Sequence, residues 1–99
     1  MAYAQIMEFD VDLDTHIKIG ETIGDEPIQG LMVHAGGASE RGVYSLDVWE
    51  SKDAADRFLS ERLMPAMHAM GLKDGPPLRA ESYDLPHVVR GSTADLASH

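Results

Sequence analysis

Apolar and polar residues alternate with a period of two in four stretches: Tyr3 to Phe9, Ile28 to Ala35, Val43 to Glu50 and Leu78 to Leu85. Each reads as a strand. In the first, Tyr3, Gln5, Met7 and Phe9 share one face and Ala4 and Ile6 the other. In the second, Leu31 and Val33 alternate against Met32 and His34. In the third, Val43, Ser45, Asp47 and Trp49 face one way and Tyr44, Leu46, Val48 and Glu50 the other. Large apolar groups on both faces of that stretch predict a central strand.

The period changes to three and four after Ser51. Its hydroxyl suits the free N–H groups of a helix start, and Asp53 and Asp56 follow where the helix dipole favours negative charge. Ala55, Phe58, Leu59, Leu63, Ala66, Met67 and Met70 then form one apolar stripe, with Arg57, Glu61 and Arg62 on the wet side. Pro65 lacks an N–H and predicts a kink near Leu63–Met64, and Gly71 ends the helix. A shorter helix, capped by Asp12 or Asp14 and running to about Thr22, carries a thin stripe of Leu13, Ile17 and Ile23. Gly20 costs it about 1 kcal/mol relative to Ala. Gly24 to Pro27 reads as a loop, Gly36 to Gly42 as a hairpin loop, and Lys73 to Pro77 as a stiff connection. Pro86 breaks the last strand before a short extension at His87–Val88–Val89.

The order is β-α-β-β-α-β, a ferredoxin-like α+β fold with an antiparallel sheet and both helices on one face. The opposite face keeps apolar side chains that need cover, and a homodimer packed sheet to sheet supplies it. Residues 1–90 form a single domain, and the small polar residues from Gly91 to His99 form a frayed tail.

Charge narrows the function. A net charge of −9 argues against nucleic acid, whose binding draws on Lys and Arg, and against an anionic membrane surface. No apolar run spans a bilayer and the N-terminus has no signal-peptide pattern. With no cysteine there is no disulfide framework and no thiol chemistry, and the expected compartment is the cytoplasm.

The segments Gly30 to His34, Leu46 to Ser51, and Asp56–Arg57–Phe58 through Pro65 resemble the antibiotic biosynthesis monooxygenase-like superfamily, small dimeric α+β barrels with uncharacterised actinobacterial members. The resemblance covers Tyr3 to Val89. It implies a pocket between sheet and helices for a small apolar or aromatic molecule. Some relatives oxygenate phenolic polyketides without metal or flavin, and others degrade haem. The oxygenases commonly use an Asn with a Trp, and this chain contains no Asn. The haem-degrading branch uses Asn, Trp and a helix His. Aligned on Trp49–Glu50–Ser51, His68 falls on that His and Phe58 on the reactive Trp.

The candidate catalytic residues are His34, His68 and Asp47. An imidazole near its ordinary pKa suits deprotonation of a phenol, and a carboxylate on a covered sheet face can serve as a base. Trp49, Phe58, Met32 and Met67 are the candidate substrate-binding residues, an aromatic pair with adaptable thioethers. The plainer reading makes Trp49 a core indole and pairs Asp47 with an arginine or a backbone N–H near the strand end. Asp10, Asp12, Asp14 and Glu21 imitate a calcium loop, but Thr15 stands where its sharp turn demands Gly. The histidines show no zinc spacing, so no metal and no cofactor is expected. Two functions stay open: a cofactor-independent monooxygenase on a phenolic or polyketide-like substrate, and a non-catalytic dimerisation or ligand-sensing module. A haem-binding relative is the third.

Overall fold

The computed structural model describes residues 1–72 and 76–91. The elements are β1 (Ala2–Phe9), α1 (Leu13–Ile23), β2 (Leu31–Ala38), β3 (Val43–Trp49), α2 (Lys52–Phe58), a π-helical turn (Leu59–Leu63), α3 (Met64–Ala69) and β4 (Arg79–Leu85). The four strands form one antiparallel sheet in the order β2-β3-β1-β4. This is the ferredoxin-like α+β arrangement. Neither the tail beyond Gly91 nor Lys73 to Gly75 lies within the described residues. His87 to Val89 adds no strand after Pro86.

Residues directly opposite in an antiparallel pair share a face. Tyr3 opposes Trp49 and Leu31 opposes Trp49 from the other side, so all three point to the helices. There Tyr3, Trp49, Ala54 and Ala55 form the buried core, with Ile28, Leu31 and Phe58 packed against it. Gly30 seats this corner. Its backbone has φ +81°, and a Cβ there would lie 2.5 Å from the Cβ of Ala54. Only a glycine lets β2 start so close to α2.

Two strand expectations are corrected. β2 begins at Leu31 rather than Ile28, and it continues through Gly36 and Gly37, which composition had assigned to a loop. The hairpin is shorter: Ser39 N donates to Gly42 O at 2.9 Å around Glu40 and Arg41. Backbone pairing with β3 holds the glycines in the strand, and the Tyr44 ring covers Gly37, where a Cβ would lie 3.0 Å from the Tyr44 hydroxyl. A bulge between Leu31 and Val33 inserts Met32 as an extra residue. Val33 therefore opposes Val48 on the outer face instead of following Leu31, and His34 opposes Asp47 on the helix side.

The helices hold two more corrections. Asp12 caps α1, accepting from Thr15 N at 2.7 Å. Its inward side is His16, Ile19 and Ile23, of which Ile19 is buried, while Leu13 and Ile17 are exposed. In the second helical stretch, the strain from Pro65 is taken up by the π-helical turn. Met64 N donates to Leu59 O, five residues back, and Pro65 enters the first turn of α3, where no N–H is needed. The extra residue leaves Leu59 exposed and turns Arg62 inward, away from its expected wet side. Arg62 donates to the carbonyls of Ile23 at 3.2 Å, Glu26 at 3.3 Å and Pro27 at 3.4 Å. It so caps the C-terminus of α1, where free carbonyls attract a cation. Gly71, at φ +72°, closes α3 with Gly71 N to His68 O at 3.0 Å and Leu72 N to Met67 O at 3.0 Å.

Candidate functional site

The register places a polar row across the helix-facing side of the sheet. His34 opposes Asp47, Asp47 opposes Gln5, and Gln5 opposes Ser82, one residue from each strand. On one side of it lies the apolar corner of Trp49 and Tyr3. On the other lie Gly36, Ser45 and Met7, of which Ser45 is buried. A polar line here departs from the pattern of an ordinary sheet face packed under helices.

Within the row, His34 Nδ1 and Asp47 Oδ1 share a short hydrogen bond. An ionised carboxylate only accepts, so Nδ1 is the donor, and in a neutral imidazole that tautomer leaves the lone pair on Nε2. The Asp47 side chain is 16% exposed and that of His34 47%, so the pair is anchored in the sheet and open at the imidazole. Above it, α1 brings in His16. The two rings are stacked, 5.7 Å between centroids at an interplanar angle of 28°. Gly36 makes this approach available: a Cβ there would lie 3.0 Å from His16 Nε2 and 3.2 Å from the carbonyl of Tyr44. Burial holds the His16 imidazole below its ordinary pKa; the adjacent His34 adds to that and Asp47 opposes it. Among the described residues no three of His, Cys, Asp and Glu are arranged to hold a metal ion.

Of the sequence-derived candidates, His34 and Asp47 come together, and Trp49 and Phe58 come together at 5.3 Å between ring centroids. Trp49 is 2% exposed and belongs to the core, with Phe58 filling the space beside it. Its Nε1 is buried with no hydrogen-bond partner among the described residues. Met32 is half-buried at the bulge, Met67 is half-buried on α3, and His68 is exposed on α3. The group stacked on His34 is His16, which the sequence reading passed over. The signal was present: Asp12, His16, Ile19 and Ile23 recur at four, three and four. Choosing Leu13 and Ile17 as the inner stripe turned His16 outward.

Two open grooves flank the second helical stretch. One, of about 300 Å³, is lined by Pro27, Ile28, Gln29, Ala54, Arg57 and Phe58. The other, of about 260 Å³, is lined by Thr22, Ile23, Pro65, Ala66 and Ala69, and Arg62 borders both. Neither includes His16, His34 or Asp47.

Among solved structures, a protein of Chloroflexus aurantiacus J-10-fl provisionally assigned as an antibiotic biosynthesis monooxygenase superposes with a TM-score of 0.67 at 15% identity, over 92% of this chain and 98% of its own. The fold is that of the antibiotic biosynthesis monooxygenase-like proteins. Rv0793 from Mycobacterium tuberculosis shares it with a TM-score of 0.60 at 17% identity, over 93% of this chain and all of that one. SnoaB, a cofactor-independent oxygenase from Streptomyces nogalater, shares it with a TM-score of 0.53 at 12% identity, over 91% and 96%. No protein-family model and no curated protein matches the sequence. In this monooxygenase-like fold the His34–Asp47 pair stands on the side of the sheet that the helices cover. No helix among the described residues is long and apolar enough to cross a membrane.

Proposed function

We propose that this chain is a homodimeric α+β barrel protein that holds a small apolar or aromatic molecule between sheet and helices, and that it acts on a phenolic or polyketide-like substrate as a cofactor-independent monooxygenase. The observation that carries the reading is the His34–Asp47 hydrogen bond, set in a polar row under the helices. SnoaB, an oxygenase that needs no cofactor, supports it through the shared fold. Asp47 orients the imidazole, and His34 Nε2 takes the substrate's phenolic proton. The electron-rich anion then reduces oxygen itself. One oxygen atom enters the substrate and the other leaves as water, so the substrate supplies the electrons.

Support for the dimer comes from the uncovered side of the sheet. Val33 (50% exposed), Tyr44 (48%), Leu46 (38%) and Tyr83 (51%) lie there around Ile6 and Val48. Arg41 pairs with Glu8 at 2.6 Å and Arg79 with Glu81 at 2.8 Å on the same face, giving the patch a polar rim. A second copy would bury the apolar centre.

A second reading, a non-catalytic dimerisation or ligand-sensing module, is favoured by one observation: Phe58 packs on Trp49 as part of the core. The test is thermal unfolding against haemin and a panel of small phenols and quinones, with oxygen uptake followed for each binder. A ligand at about a hundred times its dissociation constant adds about 2.7 kcal/mol. Uptake lost in His34→Gln supports the oxygenase. Silence across the panel from a firm dimer decides for the module, and a haem band decides for the haem-binding relative.

A further inference from the structure

We infer that His16 is a positioning residue of the His34–Asp47 pair: its ring, stacked from α1, holds the His34 imidazole in line with the carboxylate. The inference rests on the proposed site, and it assigns a role to a residue on the opposite layer of the fold. Three observations carry it. His34 is half exposed and is held from within the sheet, among the described residues, by its hydrogen bond to Asp47. A single hydrogen bond leaves an imidazole free to swing about its χ2 torsion; a second ring against its face removes that freedom. His16 supplies that ring at 5.7 Å and 28°. Finally, β2 carries no side chain where His16 descends, because the residue is Gly36.

The same stack limits the charge of the couple. The titratable groups that face His16 are His34 from β2 and Asp47 from β3; the row is completed by Gln5 from β1 and Ser82 from β4, which are neutral. One carboxylate balances one imidazolium. A second proton would place two like charges ring to ring, against burial as well. His16, disfavoured as a cation by burial and by the adjacent ring, therefore stays a neutral wall beside His34.

Proton–nitrogen correlation spectra of the imidazoles, recorded without ligand across the acid range, test this. In the wild type we expect a ring-to-ring NOE between His16 and His34, a slowly exchanging Nδ1–H on His34, and two separated protonation steps for the couple. His16→Phe keeps the wall and loses the second step. His16→Ala loses the Nδ1–H signal. Gly36→Ala, which removes nothing from the core, should displace the His34 resonances in the same direction as His16→Ala. A His34 spectrum unchanged in His16→Ala, or in Gly36→Ala should the first variant not fold, overturns the inference, as does independent titration of the two rings. Because no ligand enters, these spectra with a silent ligand panel sink only the functional reading. Oxygen uptake alongside unchanged spectra sinks only this inference.

Discussion

Arg62, in the π-helical turn, donates from Nη2 to the carbonyl of Ile23 at 3.2 Å and so closes the C-terminal end of α1 from the neighbouring helix. The same guanidinium reaches Glu26 and Pro27, so one side chain fixes a helix end and the loop leading towards β2. Arg62→Met keeps most of the apolar stem and removes all three contacts. Hydrogen bonds to a charged group contribute about 1.5–3 kcal/mol each when buried. These are partly solvated, so the expected loss is about 1–3 kcal/mol in total. Urea unfolding measures it, and hydrogen exchange should show the loss first in Thr22 to Gly24.

His16 makes stability depend on pH. Its proton affinity is lower in the folded chain than in the unfolded one. The unfolded state therefore binds more protons as pH falls, and stability rises with pH through this window. The contribution is complete above about pH 6.5, declines as pH falls towards the lower folded value, and levels off below it. The difference in unfolding temperature between wild type and His16→Gln should narrow between about pH 7.5 and about pH 5. A constant difference would mean that the ring is as well hydrated folded as unfolded.

Trp49 offers a separable pair of substitutions. Trp49→Ala empties the core and should cost about 3–5 kcal/mol. Trp49→Phe keeps an aromatic ring against Phe58 and removes an indole N–H that is buried without a partner among the described residues. An unsatisfied buried donor costs about 1–3 kcal/mol, so the Phe variant should lose less than half of what the Ala variant loses. Equal losses would show that the N–H is satisfied in solution.

The dimer is tested at Leu46, on the uncovered face of the central strand β3. Leu46→Lys puts a charge in the apolar patch while leaving the helix side alone. Sedimentation equilibrium should show association at least about tenfold weaker, equivalent to about 1.4 kcal/mol. A wild-type chain that sediments as a monomer removes the sheet-to-sheet dimer altogether.

The element order and the sheet topology could be read from periodicity, because β1, β3 and the capped start of α2 carry strong local signals: alternation, then Ser51, then a three-and-four stripe. The errors lie where tertiary pairing outweighed local propensity. Gly36 and Gly37 read as loop, yet β3 holds them as strand. The bulge at Met32 reversed the faces of everything after it, and no periodicity within β2 reveals an inserted residue. The two site residues from neighbouring strands, His34 and Asp47, were both chosen from sequence. Their meeting depended on that bulge. His16 was lost because α1 has two weak apolar stripes of similar strength, and packing alone decides between them.

The π-helical turn from Leu59 to Leu63 amounts to one residue more than a regular helix of the same length would use. Each residue added to a helix rotates all that follows by about 100°. The turn thus works as a phase shifter between two registers: Ala54, Ala55 and Phe58 face the core before it, and Ala66 faces inward after it. Deleting any one residue between Leu59 and Leu63 would give a smoother helix and a worse protein. Pro65 would return to the interior of a regular helix, where its ring meets the carbonyl four residues back. One residue too many for a regular helix is absorbed within this single turn, and the turn gives the Pro65 ring the opening it requires.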